Sequence, residues 1–140
     1  MKNSHKKAKS FVVIMVVISI LAVLLRIAAE KIIETTCVQN ESVAQANLKL
    51  ISIALENYAK NNRGIYPDNI SVLTKTQPQY LDKDYVKRSP LKGYIYNCSR
   101  LDANGYNCYA FPTKCRLNGK TTFTVTTGKL LVSEECDRKE

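Results

Sequence analysis

The sequence predicts an α+β chain: a long N-terminal membrane-embedded α-helix packed on a small antiparallel β-sheet. Three observations carry that expectation. The only long apolar run, residues 11–25 (FVVIMVVISILAVLL), follows a leader holding Lys2, Lys6, Lys7 and Lys9 and no acid. No Pro or Gly interrupts the chain from Phe11 to Arg63. The last third then alternates short β-rich stretches with turn residues.

Taken in order, residues 1–10 read as a basic cytoplasmic leader, since lysines before an apolar run place the N-terminus inside. Residues 11–33 read as the transmembrane and assembly helix. The fifteen residues of the run are broken only by Ser19, slightly short of the ~20 that cross about 30 Å of hydrocarbon. Ile27, Ala28, Ala29, Ile32 and Ile33 extend the pattern, and Arg26 and Lys31 are long enough to snorkel. A cleaved secretory signal is the alternative. It needs small residues just after the apolar stretch, and Ala28–Ala29 inside a continuing helical pattern make a poor site.

Residues 34–62 read as the amphipathic continuation of the helix. Ala44, Leu48, Ile51, Leu55 and Tyr58 step by helical spacing, with Val43, Ala46, Leu50 and Ile53 widening the stripe. Gln45, Asn47, Lys49, Ser52, Glu56 and Lys60 fill the polar face. One rod of about 50 residues would run roughly 75 Å. Its weakest stretch is Thr35–Asn40, where a bend or local melting is expected and Asn40 or Ser42 offers a cap for a restarted helix. Asn61, Asn62 and Gly64 stop the helix, and Pro67 forbids its resumption.

Residues 63–140 are expected to form a small globular exported domain. Asn69–Leu73 suggests a helical turn. Strands are expected at Gly93–Cys98, Asn107–Phe111, Thr121–Thr126 and Lys129–Ser133, joined by turns at Asp102–Gly105, Asn118–Gly119 and Thr127–Gly128.

A domain of this size needs bracing. Cys98, Cys108, Cys115 and Cys136 are the disulfide candidates in an exported compartment. Of their three possible pairings the local ones, Cys98–Cys108 and Cys115–Cys136, are favoured, and Cys37 is left over. Cys/His metal-site spacing is missing, and the one His, His5, lies in the leader. With no later His for a nucleophile pair, and Asp82 and Asp84 flanked by Lys83 and Lys87, an enzyme is not expected.

The net charge of +9 divides unevenly: six of the 21 Lys/Arg and one of the 12 acids fall in residues 1–33. The rest is only mildly basic, so charge alone does not argue for nucleic acid. A DNA-capturing face would need Lys87, Arg88, Lys92, Arg100, Lys114, Arg116 and Lys120 interleaved with exposed Tyr94, Tyr96 and Tyr106.

Three stretches resemble the type IV pilin and type II secretion pseudopilin family. Met15–Leu24 is similar to the apolar part of a prepilin signal segment. Tyr58-Ala-Lys-Asn-Asn-Arg-Gly64-Ile-Tyr66-Pro67 resembles the helix exit of major pseudopilins. Tyr80-Leu81-Asp82-Lys83-Asp84, followed by Pro90 and Gly93-Tyr-Ile-Tyr96, resembles the approach to their first strand. The resemblance implies a pilin-like fold and a non-catalytic subunit of a type II secretion or type IV pilus-type filament. It implies a bacterial inner-membrane, single-pass placement, with the C-terminal domain periplasmic or extracellular. The implied partners are membrane lipid, other pilin or pseudopilin subunits, an inner-membrane assembly platform and prepilin peptidase, with nucleic acid not expected.

The family's processing site is Gly before Phe; here the matching junction is Ser10–Phe11. Its mature fifth residue is Glu, thought to answer a neighbour's N-terminal amine; counting from Phe11 places Met15 there. That departure resembles a minor subunit, or one that does not assemble. Major pseudopilins also hold calcium near the C-terminus. Asp102 and Asn104 offer oxygens for it, but they equally suit a hairpin turn, and no cofactor is expected. A DNA-uptake minor pilin and a non-assembling signal-anchored domain are the alternatives. Sequons at Asn40, Asn69 and Asn97 accompany the latter.

Overall fold

The computed structural model describes residues 4–136, with side chains from Ser10 onward. The leader lysines therefore lie outside the described residues. The element order is α1 (Ser4–Asn61), α2 (Ile70–Lys75), β1 (Tyr94–Asp102), β2 (Gly105–Pro112), β3 (Thr121–Thr126) and β4 (Leu130–Glu135). The chain is thus α+β. It divides into two compact units, Met1–Thr35 and Thr36–Glu140.

In the first unit α1 is helical throughout its described residues, starting ahead of Phe11. The local melting expected at Thr35–Asn40 does not occur: helix passes unbroken through both threonines and Cys37. Thr35 donates its hydroxyl to the Lys31 carbonyl at 2.9 Å, so the side chain joins the helical ladder instead of competing with it.

In the second unit α1 ends where the sequence runs out of apolar spacing. Arg63 and Gly64 take positive φ of 58° and 82°. The Gly64 amide donates to the Ala59 carbonyl at 2.8 Å, a left-handed cap that Gly adopts without steric cost. Asn69 caps α2 by accepting from the Ser71 amide. This helix runs two residues past the expected Leu73 end.

The sheet is an antiparallel meander of order β1-β2-β3-β4. Short connections favour that order, since each strand pairs with its sequence neighbour. Asp102 faces Gly105 across the first hairpin, and Thr126 faces Leu130 across the third. All four expected strands form, with β1 reaching four residues beyond Cys98 through a bulge between Cys98 and Arg100. The disulfides are Cys98–Cys108, across directly paired residues, and Cys115–Cys136, which ties the β2–β3 loop to the end of β4.

The core joins one face of α1 to the sheet: Ala44, Leu48, Ile51 and Leu55, with Leu73 of α2, pack with Tyr94, Tyr96, Tyr106, Ala110 and Val125. Of the residues expected to widen the helix stripe, Val43, Ala46, Leu50 and Ile53 stay exposed. Ala54 and Ala59 are buried instead, because small side chains let the sheet approach the helix closely.

Candidate functional site

Two regions carry the chemistry available to this chain: the apolar segment of the first unit and the helix–sheet seam of the second. From Ser10 to Thr36 every residue is exposed. That includes Ser10, Phe11 (63%) and Met15 (52%), the residues of the expected processing and assembly site. Polar groups here are satisfied within the helix. Ser19 donates to the Met15 carbonyl at 2.8 Å, Arg26 pairs with Glu30 at 3.4 Å, and Lys31 pairs with Glu34 at 3.1 Å. An apolar medium tolerates a hydroxyl that is bonded in this way far better than a free one. By length and composition this helix can cross a membrane.

The seam of the second unit is made by residues of α1 that spacing alone assigned to the solvent side. Asn47 donates to the Tyr96 hydroxyl at 2.9 Å. Ser52 is buried and bonds back to the Lys49 carbonyl. Glu56 accepts at one oxygen from the Tyr106 hydroxyl at 3.0 Å and the Gly128 amide at 2.7 Å, and at the other from the Tyr66 hydroxyl at 3.0 Å. Burial pushes this carboxyl up, but the Gly128, Tyr106 and Tyr66 bonds outweigh it, and the group sits below its ordinary value. Its tyrosine partners shift the other way: burial and the facing carboxylate raise both Tyr66 and Tyr106.

The end of the second unit nearest Thr36 has its own contacts. The Cys37 thiol points at the Leu117 and Arg116 carbonyls at 3.3 and 3.6 Å. Asn40 donates to the Asn118 carbonyl at 2.9 Å, and Glu41 accepts from the Lys120 amide at 2.5 Å. Cys37 is buried and unbridged, and burial together with nearby Glu41 raises its pKa, which keeps it a thiol.

Two possibilities raised by the sequence lose their footing. Asp102 receives Arg100 on both carboxylate oxygens, at 2.8 and 3.3 Å, and its Oδ1 also accepts the Asn104 amide. Its oxygens are engaged by the chain's own donors in a hairpin turn, so Asp102 and Asn104 do not form an open calcium cradle. No group of three or more His, Cys, Asp or Glu suited to a metal occurs among the described residues. Tyr94, Tyr96 and Tyr106 are all buried at 2% exposure or less. None offers a ring face to a nucleotide base, which removes the interleaved aromatic surface. The signal was in the spacing: Tyr94 and Tyr96, two apart on one strand, share a sheet face.

Asp82 and Asp84 are committed to the fold as well. Asp82 accepts the Tyr85 hydroxyl, and Asp84 accepts the Ser71 hydroxyl and the Lys87 amide.

No protein-family model matches this chain, and no curated protein is significantly similar to it. Its own geometry must carry the functional reading.

Proposed function

We propose that the chain is a non-catalytic, pilin-like or pseudopilin subunit of a type II secretion or type IV pilus-type filament. Before assembly it would be held in a bacterial inner membrane by residues 11–33, with the leader cytoplasmic and the C-terminal domain exported. The observation that carries this reading is a helix with two exposed apolar regions. One is the exposed segment from Phe11 to Ile33. The other lies within the second unit, where Val43, Ala46, Leu50 and Ile53 recur at helical spacing and stay exposed while the buried stripe faces the sheet.

A monomeric anchor needs only the first of these. The second fits helix-to-helix packing between subunits, in which apolar side chains interdigitate along i, i+3 and i+4 ridges. Leu50 and Ile53 are 47% and 44% exposed, so covering each would contribute roughly 1 kcal/mol. The resemblance of Met15–Leu24, Tyr58–Pro67 and Tyr80–Tyr96 to pilin stretches supports the same reading, as does the α+β arrangement.

Met15 narrows it to a minor subunit. Where the family has Glu, a thioether cannot answer the incoming subunit's ammonium, and an ammonium desolvated without a partner costs several kcal/mol. Such a chain joins as a minority component or at a filament end. The test is fractionation of the full-length protein expressed with its native neighbours. We expect an N-terminal mass starting at Phe11 and recovery in the sheared filament fraction at low copy number. An uncleaved leader, with all protein left as monomer in the membrane, would overturn the proposal in favour of a simple anchor.

A further inference from the structure

Within the second unit, the loop 113–120 is held in an unusually fixed shape. The Arg116 amide donates to Gly119 at 2.7 Å, and the Leu117 and Asn118 amides to Lys114 at 3.3 and 3.0 Å. Asn118 bonds Thr113 through its side chain, Cys115 is bridged to Cys136, and the inner carbonyls rest on Cys37 and Asn40. Despite this order the loop leaves Leu117 50% exposed. Lys114, Arg116 and Lys120 flank it, all exposed, and Lys92 lines the neighbouring groove with Val38 and Asn40. None of these four cations makes a salt bridge among the described residues. Two acids lie close. Glu41 is engaged by the Lys120 amide and the Thr121 hydroxyl, and Glu135 lines a groove with Arg116 and Lys120.

An ordered loop that presents one apolar side chain between exposed cations suits the boundary between acyl chains and anionic headgroups. Chain connectivity keeps it within reach of that boundary. Cys37, which the loop touches, follows Ile33 by four residues, at most about 14 Å of even fully extended chain.

We propose that loop 113–120 is a second membrane contact, docking Leu117 among the headgroups of anionic lipid with Lys92, Lys114, Arg116 and Lys120 on the phosphates. The proposal rests on the reading of residues 11–33 as a membrane anchor. It goes beyond that reading by giving the domain a preferred face toward the bilayer before assembly. Release of that contact is then a step in leaving the membrane.

The chain contains no Trp, so single introduced tryptophans report depth without background. The experiment compares Leu117→Trp, Ile20→Trp and Leu130→Trp in the full-length protein. Each is reconstituted in vesicles of brominated phosphatidylcholine, with and without phosphatidylglycerol. Leu130 is exposed at the opposite end of the sheet, beside the Glu56 contacts. We expect quenching at positions 20 and 117 but not 130, with position 117 alone strengthened by phosphatidylglycerol. Each cation changed to Gln should lower the docking equilibrium constant of Leu117→Trp by about fivefold, with circular dichroism unchanged. No quenching at 20 would overturn the anchor itself. Quenching at 20 without quenching at 117 would overturn only the loop contact. Binding of a short DNA duplex in detergent that needs the four cations, without any lipid dependence at 117, would replace lipid with nucleic acid as the occupant.

Discussion

Glu56 on the long helix accepts the phenolic hydroxyl of Tyr106 on β2, fifty residues further along the chain, at 3.0 Å. The same carboxylate oxygen takes the Gly128 amide from the β3–β4 turn. One side chain therefore fixes the helix against two hairpins. Replacing Glu56 with Ala strands two tyrosine hydroxyls and an amide, and charge-assisted bonds of this kind contribute about 1.5–3 kcal/mol. We expect a loss of stability in that range by denaturant titration, with Glu56→Gln losing less because it keeps the shape and one acceptor.

Stability should also fall in acid through this residue. Its folded pKa lies below its ordinary value of 4.5. The unfolded chain therefore binds the proton first, and the contribution is present above the unfolded value and lost as pH drops through the folded one. Glu56→Gln should flatten that part of the pH–stability profile, and an unchanged slope would remove Glu56 from it.

At the alkaline end the sign reverses. Tyr66, Tyr85, Tyr94, Tyr96 and Tyr106 are all raised above the ordinary 10.0, first by burial, and Tyr85 reaches about 12 with Asp82 beside it. Their stabilisation is complete below pH 10.0 and should be lost as pH rises from there through the folded values. Phenolate absorbance should lag behind that of free tyrosine and then rise together with unfolding.

Thiol labelling should find one reactive cysteine per chain, Cys37, and only after denaturation, because it is 1% exposed while the other four are bridged. Changing Cys115 and Cys136 together to Ser should lower stability by about 2–4 kcal/mol. Free thiols at the distal positions in protein taken from its native compartment would refute the pairing.

Assembly should respond at two places. On the proposed filament role, Met15→Glu should raise incorporation into filaments, since it supplies a carboxylate for the incoming amine. Ile53→Lys should lower it while leaving the fold intact, because this side chain points away from the sheet and is 44% exposed. Unfolding of the Ile53→Lys protein, or filament yield unchanged by both substitutions, would argue against the packing described.

Periodicity and turn chemistry made most of the architecture legible. The apolar run, the Asn-Gly stop after Tyr58 and the hairpin signals marked α1 and the four strands because each is a local property. The errors arose where partners are distant. Asn47, Ser52 and Glu56 border the apolar stripe on a helical wheel, and only the arrival of Tyr96, Tyr66, Tyr106 and Gly128 turns that border inward. Cys37 had no readable role, as the carbonyls it faces lie 79 and 80 residues away. The local melting foreseen at Thr35–Asn40 is absent: the Thr35 hydroxyl bonds within the helix, and Cys37 and Asn40 find acceptors in the Arg116–Asn118 loop.

The seam also imposes an order on biogenesis. Glu41 meets its partner at Lys120, and Glu56 meets one of its own at Gly128. While the chain is being made, the Ala44–Leu55 face of the helix must wait, bare and apolar, until the strands carrying Tyr94 to Val125 have followed it. Closing loops of that length before any contact forms is slow relative to making a helix or a hairpin. The newly made chain is thus the form most exposed to proteases and to premature association. Chains truncated before Lys120 should stay protease-sensitive along the helix, while the completed chain becomes resistant in one late, cooperative step.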